Sequence, residues 1–552
     1  MAASSATVAE SDAMEAEAPA AVRGCVDFKG RRVLHSKSGC WKSASFIIGV
    51  EMAERFAYYG ISSNLVSYLT GPLGQSTAAA AANVNAWAGT ASLTPLLGAF
   101  VADSFLGRYW TIIAASLLYI LGLGSLSVSA ALTPSDSSSP PMIDVIFFFL
   151  ALYLVAFAVG GHKPCLQAFG ADQFDDENVK EVQSKSSFFN WWNFCLCVSI
   201  VVGLLVLTYI QENLSWELGF GIPCLVMCFA LSVFLFGIGT YRFRVKSDGR
   251  NPFAQITRVL VRALKNRRAA APEGLAVEEE EGHFRFLDHA SLEPNGVEAC
   301  SMSDIEDAKA ILKLLPICLA CLPFAVVYQQ STTLFTKQGA TMDRHITINF
   351  QIPAAALQAF TPGSIILFVP LYERVLIPLA RAITHKPTGI SLLQRIGTGL
   401  VLGIVCMVVA GFTERQRLET ALEHGLFDLP KETVPMSIWW LVPQYLVMGV
   451  ADVLTFVGLQ EFFYDQVPGG LKSMGLALSF GVAGIGGFLS SFLVSVVDKT
   501  TGGRGQDSWL SDNLNRAHLD YFYWLLAGLN ALSVVLYVYF AKSYVCSKRS
   551  IV

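Results

Sequence analysis

Three charges stand close together in a run that is otherwise apolar. The segment SFIIGVEMAERFAYYGISSNL, residues 45–65, carries Glu51, Glu54 and Arg55 near its middle. If the segment crosses a bilayer, each such charge costs about 2.5–3.5 kcal/mol to insert. Helical geometry puts positions i, i+3 and i+4 on one face, so all three share a stripe and Arg55 lies one turn from Glu51. Two carboxylates around one guanidinium leave an excess negative charge in a medium of low dielectric, and protonating one of them relieves it. A proton-coupled carrier needs such a stripe facing a polar cavity. The plainer alternative is a salt bridge that only pins helices together.

Two further charges sit where charge is costly. Lys163 follows Gly160-Gly161-His162 and precedes Pro164, so its helix is expected to be thinned and bent there. Asp452 lies in LVMGVADVLTFVGLQEFFYDQ, in the opposite half of the chain. A bridge between Lys163 and Asp452 could close a central path, and a proton or a substrate could open it. The alternative for Lys163 is to snorkel to the nearer membrane surface. His162 is expected to be incidental, and Glu461 and Asp465 interfacial. Gly481, Gly484, Gly486 and Gly487 suit close helix packing. No phosphate-binding loop, HExxH or GxSxG occurs, so neither direct ATP use nor enzymatic catalysis is expected.

The elements that hold these residues follow from hydropathy. The chain has 552 residues, of which 53% are hydrophobic and 15% charged, and a mean hydropathy of +0.49. Soluble proteins carry about 25% charged residues. A bilayer core takes about 20 apolar residues per helix. Twelve candidate spans result: 43–69, 79–103, 109–132, 143–168, 187–210, 216–240, 309–334, 353–379, 391–413, 437–463, 473–497 and 519–542. The expected class is an all-α polytopic membrane protein with 12 transmembrane helices in two six-helix halves. Residues 1–40 read as a disordered tail without a cleavable signal, 41–240 as the first bundle, 241–308 as a linker, 309–543 as the second bundle and 544–552 as a short tail.

The linker opens basic, from Arg242 to Arg268, and then carries the acidic run Glu278 to Glu281. The loops after spans one, three and five hold no Lys or Arg, which places both termini and the linker in the cytosol. The net charge of −4 gives no reason to expect a nucleic-acid partner. The cysteines, Cys318 and Cys321 included, are expected to be unpaired small hydrophobes, with no metal or other cofactor.

The chain resembles the plant nitrate/peptide transporters, within the proton-coupled oligopeptide branch of the major facilitator superfamily. The motifs that carry the resemblance are Glu51-Met52-Ala53-Glu54-Arg55 with Phe56-Ala57-Tyr58-Tyr59-Gly60, Gly107-Arg108-Tyr109, Gly160 to Pro164, Phe169-Gly170-Ala171-Asp172-Gln173-Phe174-Asp175, and Glu461-Phe462-Phe463-Tyr464. The resemblance implies a major facilitator fold whose two bundles rock about a central site. It implies proton coupling through Glu51, Glu54 and Arg55, and a bridge from Lys163 to the acidic residue of span ten, usually Glu and here Asp452. Tyr58, Tyr59, Tyr328 and Gln329 are expected to line the substrate site, and Thr111 is a candidate regulatory phosphosite.

A nitrate carrier of this kind has His where Tyr328 stands, and peptide carriers of bacteria and animals have Arg where Ser62 stands. The expected partners are therefore protons, the lipid bilayer and a small solute such as nitrate, a di- or tripeptide or another organic metabolite. The expected location is the plasma or vacuolar membrane. A passive uniporter or channel, or a nutrient transceptor, is the alternative.

Overall fold

A computed structural model describes residues 21–35, 38–132, 140–175, 177–244, 252–266, 286–287, 290, 300–347, 350–376, 378–379, 382, 390–467, 472–503 and 507–549. Among these, ten helices are long and apolar enough to cross a membrane. Two more passes precede them. The first is α1 (Cys40–Ser62) with its short continuation α2 (Leu65–Thr70), and the second is α3 (Thr77–Val101). The first half continues with α4 (Arg108–Leu132), α5 (Met142–Ala171), α6 (Val179–Asn213) and α7 (Trp216–Phe236). Helix α8 (Pro252–Lys265) lies in the linker.

The second half comprises α9 (Met302–Leu312), α10 (Leu315–Gln329), α11 (Leu334–Ala340), α12 (Phe360–Leu371), α13 (Leu392–Glu423), α14 (Val442–Asp452), α15 (Gly458–Gln466), α16 (Lys472–Thr501) and α17 (Leu519–Arg549). Helices α9 to α11 form one pass, as do α14 and α15. Polar residues mark several starts. Ser76, Ser215 and Ser301 each accept a hydrogen bond from a backbone N–H of the first turn, and Ser391 forms a capping box with Gln394.

Both halves interrupt their first pass at the same relative place. α1 ends at Ser62 and α2 starts at Leu65, while α10 ends at Gln329 and α11 starts at Leu334. The sequences there, Ser62-Ser63-Asn64 and Gln330-Ser331-Thr332-Thr333, carry side chains that compete with the helix for backbone bonds. The Thr332 and Thr333 hydroxyls, for example, both donate to the Gln329 carbonyl.

The halves are tied at the end remote from the termini. Arg344 Nη1 donates to Glu212 Oε2 at 2.9 Å, Lys337 Nζ to Thr70 Oγ1 at 3.0 Å, and Gln358 Nε2 to the Ser63 carbonyl at 2.8 Å. The Asp512 carboxylate accepts from the Thr77 N–H at 2.6 Å. Closer to the middle, α3 and α16 pack backbone to backbone. A methyl group on Gly484 would lie 2.5 Å from Leu93, and one on Gly487 would lie 2.8 Å from Gly89. Gly486 presses on Ala325 in the same way. Three of the four glycines thus serve close packing, while Gly481 has open space.

The structure departs from the sequence reading in three places. First, the tail read as disordered over 1–40 holds an antiparallel hairpin, β1 (Ala21–Val26) with β2 (Arg32–Leu34), and β1 also pairs with β3 (Phe243–Arg244) after α7. Its turn is fixed by Asp27 Oδ1, which accepts from the Lys29 and Arg31 N–H groups, and Val22, Cys25 and Val33 form a small core of their own. Local composition hides this, because the pairing partner lies some 200 residues away.

Second, α13 extends to Glu423 rather than ending near 413, because its polar last turns bury Glu414 and Arg417 as a pair. Third, the end of the linker is already helical from Met302. The cysteines of the described residues are free, and Cys318 and Cys321 are buried.

Candidate functional site

The stripe on α1 forms as its spacing predicts. Glu51 and Glu54 are buried. Arg55 Nε donates to Glu51 Oε1 at 2.7 Å and lies 3.3 Å from Glu54 Oε2, so one guanidinium serves two carboxylates. Three of the four carboxylate oxygens, Glu51 Oε2 and both of Glu54, have no hydrogen-bond donor among the described residues. Buried acceptors without donors are uncommon, and each one calls for an explanation.

Lys163 lies beside this stripe, on α5. Its ammonium stands 4.9 Å from the centre of the Tyr58 ring, a cation–π contact. The ring is in turn held by Tyr59 edge-on at 5.3 Å and by Trp87 stacked at 5.4 Å. α5 runs through Pro164, which has no N–H to give the Gly160 carbonyl. α3 presses against it there: a methyl on Gly98 would strike that carbonyl, and one on Gly160 would lie 2.6 Å from Thr94. His162 is buried and faces Ser116 Oγ at 3.1 Å.

The expected bridge from Lys163 to Asp452 is not made in this conformation. Among the described residues no ion pair joins them. Lys163 rests on Tyr58, and the groups within electrostatic reach of Asp452 are the Tyr59 and Tyr328 hydroxyls. Both charged residues are partly exposed. Tyr328 meets Phe456 edge-on at 5.4 Å, and Gln329 is buried behind it. Tyr58, Tyr59 and Tyr328 thus lie close to these charges.

The sequence reading missed how Asp452 is held. Directly after it the helix widens into a π turn, Val453–Val457, which leaves backbone carbonyls without their usual partners. Arg395 from α13 fills that role. Its Nη2 donates to the Val453 carbonyl at 3.3 Å, its Nη1 to Glu461 at 2.8 Å, and its guanidinium lies 5.2 Å from the Tyr372 ring centre. An Arg within LLQRIGTGL was the available signal. Glu461 belongs to this brace, which agrees with the interfacial role expected of it; the side chain of Asp465 lies outside the described residues.

The motif Phe169 to Asp175 also finds its place. Gln173 exchanges hydrogen bonds with the Arg242 backbone, and Arg242, fully buried, donates to Glu181 at 2.7 Å, to the Gln173 carbonyl at 3.1 Å and to the Ser38 carbonyl at 2.7 Å. His35 lies 2.8 Å from Glu181 and 3.4 Å from Asp175. Gly39 has φ 74° and a methyl there would strike the Arg242 guanidinium, so only glycine fits. This clamp fastens the hairpin to the end of the first bundle. Nearby, Arg108 pairs with Asp172. Thr111 is buried, with its hydroxyl on the Gly107 carbonyl, so a kinase would meet it only after the first turn of α4 unwinds. A groove lined by Phe412, Trp440 and Pro443 lies apart from all these groups.

Comparison with known proteins identifies the family. Residues 109–510 match the POT family. The chain is 58% identical over 539 residues to Protein NRT1/PTR FAMILY 5.10 of Arabidopsis thaliana, covering 95% of this chain and 96% of that one. It is 53% identical to Protein NRT1/PTR FAMILY 5.14 of the same plant, with the same coverage. A solved structure described as an auto-inhibited POT family peptide transporter superposes with a TM-score of 0.70 at 23% identity, over 91% of this chain and 96% of that one. The POT family transporter PepTSo superposes with 0.69 at 22% identity, over 91% and 98%. These two share the fold of this multi-pass membrane protein, and by the family match and the relatives at 58% and 53% identity the chain is a transporter of the POT family, in its NRT1/PTR group.

Proposed function

We propose that the protein is a proton-coupled symporter that moves a small organic solute by alternating access. The observation that carries this reading is the two-to-one stripe, in which Glu51 and Glu54 share Arg55 and leave three buried oxygens without a donor. A proton on Glu54 removes the excess charge and supplies a donor, so its binding and release change the electrostatics of the space beside Lys163.

Lys163 and Asp452 stand free of one another here, each available to a substrate group of opposite charge. When they pair instead, the path between the halves narrows. With the termini in the cytosol of a plasma or vacuolar membrane, the end tied by Arg344–Glu212 and Lys337–Thr70 is the outer gate, and this conformation opens inward.

Structural neighbours are described as peptide transporters, and one is in complex with 5-aminolevulinic acid. A solute carrying both an ammonium and a carboxylate would suit Asp452 and Lys163 together, and the Tyr58, Tyr59 and Tyr328 rings suit its apolar part. Glu54→Gln decides the coupling. In proteoliposomes with an inward proton gradient, screened over a mixed solute panel, the unmodified protein should accumulate its solute. The variant should exchange solute across the membrane without concentrating it. Accumulation by the variant would mean that the stripe is structural and that the protein is coupled elsewhere or is a passive uniporter.

A further inference from the structure

Helix α8, in the linker, has three distinct faces. Ile256, Val259 and Ala263 are buried, in one apolar cluster with Ile305 and Ala308 of α9. Arg258, Arg262 and Lys265, spaced i, i+4 and i+7, form a second face. Val261 and Leu264 form a third, 44% and 62% exposed although apolar. Arg262 reaches back to the Cys300 sulfur at 3.7 Å, while Arg258 and Lys265 are exposed, and none of the three forms an ion pair with a described carboxylate.

The position of α8 decides what these faces meet. α9, on which it packs, carries Asp304, Glu306, Asp307 and Lys309 and leads into the apolar part of the run Met302–Ala340. Only residues 245–251 separate α8 from β3, which itself follows directly on α7. The start of α8 is therefore tethered close behind α7 and its buried face lies on the lead-in to the next pass, which keeps it near the membrane surface from which both emerge. An exposed pair of large apolar side chains beside a cationic stripe is favourable there, where the apolar edge enters the acyl boundary and the cations meet lipid phosphates.

We propose that α8 is an interfacial lipid-binding helix, with Arg258, Arg262 and Lys265 holding anionic phospholipid headgroups while Val261 and Leu264 enter the bilayer. Each basic residue near an anionic surface contributes about a fivefold gain in partitioning, so three amount to ~100-fold. The interaction is electrostatic at the headgroup and weakens with salt. It ties the linker between the two rocking halves to the charge of one leaflet.

The test uses the full-length protein purified in detergent, with phosphatidylglycerol or phosphatidylcholine added to the micelles. Thermal unfolding and native mass spectrometry read the binding. Phosphatidylglycerol should raise the unfolding temperature and be retained on the protein, phosphatidylcholine should do neither, and 0.5 M salt should weaken the effect. The triple variant Arg258→Gln/Arg262→Gln/Lys265→Gln should need ~100-fold more phosphatidylglycerol for the same gain, with an unchanged unfolding temperature in phosphatidylcholine to show that it folds. Leu264→Asp should weaken the response with all three charges in place.

An undiminished response in the triple variant would overturn the proposal. So would an equal gain from soluble glycerophosphate, which has no membrane to enter. A third overturning result is a response that appears only after Glu278 to Glu281 are changed to Gln, because the acidic run would then be what covers the basic face.

Discussion

Two buried clusters of Glu and Arg, one in each half of the molecule, differ in a way that separates support from chemistry. In the second half, Glu414 and Arg417 are fully buried, one against one. Arg417 makes two bonds to Glu414, at 2.9 and 2.6 Å, and further bonds to Asn515, to the Leu514 carbonyl and to Thr341. Both Glu414 oxygens accept, and the pair fastens α13 to the loop before α17. In the first half, Arg55 serves both Glu51 and Glu54 with one close hydrogen bond between them. The Glu414–Arg417 cluster is saturated and balanced, with both carboxylate oxygens already accepting. The other is unsaturated and carries one carboxylate too many, so a proton is its missing component. Burial and residue type are the same in both; stoichiometry and bond count are what differ.

The largest effect should come from breaking the saturated cluster. Arg417→Ala strands a buried carboxylate, and removing one partner of such a pair costs about 3–5 kcal/mol. We expect the unfolding temperature in detergent to fall by several degrees and the surface yield to fall with it. Glu54→Gln, by contrast, removes the surplus charge while keeping the shape, so its unfolding temperature should be unchanged or higher even though coupling is lost. Equal destabilisation by the two changes would erase the distinction.

Lys163 and Asp452 extend the comparison to charges that change partners. Each single change to Ala should impair transport strongly, and on the proposed cycle, in which the two pair in another state, the double change should cost less than the sum. In the unfolding of the conformation described here the same cycle should show no coupling, since Lys163 lies on Tyr58 instead. Additivity in transport as well would mean that they never meet.

The sequence made the stripe legible because a charge inside an apolar run is its own signal, and helical spacing fixes the geometry of Glu51, Glu54 and Arg55 without any tertiary information. The passes were legible from hydropathy. The partner of Lys163 was only half legible. Residue types name Asp452 as a candidate, but which state of a moving pair is occupied depends on the relative placement of two halves, which no local pattern encodes. The π turn after Asp452 and its Arg395 brace, the hairpin on β3 and the buried end of α13 were missed for one shared reason. Each is created by a contact between segments far apart in the chain, and each overrides the local composition.

A smaller and more selective effect is expected at Tyr328. Arg55 is committed to the stripe, nitrate offers no ammonium to Asp452 while Lys163 alone would meet its charge, and a tyrosine cannot become cationic. Nitrate should therefore be at best a low-affinity substrate. Tyr328→His places a titratable cation beside Asp452, which favours its charged form, and apparent nitrate affinity should rise. Uptake of labelled nitrate in oocytes at acidic pH, normalised to surface expression, measures both. High-affinity uptake by the unmodified protein would show that the anion is held by groups outside this set.

The smallest effect tests a third, saturated cluster, the clamp on the N-terminal hairpin, which lies outside the membrane passes. Burial pushes the Glu181 carboxyl up, but hydrogen bonds from Arg242 and His35 and from the Asp175 N–H outweigh it and hold its pKa at about 2, below its ordinary 4.5. A carboxyl whose folded pKa is depressed contributes stability that is fully present above its unfolded pKa and is lost as pH falls through the folded one. The clamp should therefore hold unchanged from neutral pH to about 4.5 and loosen from there toward about 2. Hydrogen exchange of the amides in residues 21–35, corrected for the intrinsic pH dependence of exchange, reads this directly. Their protection should be flat across the neutral range, fall below about pH 4.5, and be reduced at every pH in Glu181→Gln. Loss of protection between pH 7 and 6 would assign control of the hairpin to His35 rather than to the carboxylate, and the clamp would then be a titrating cluster instead of a saturated one.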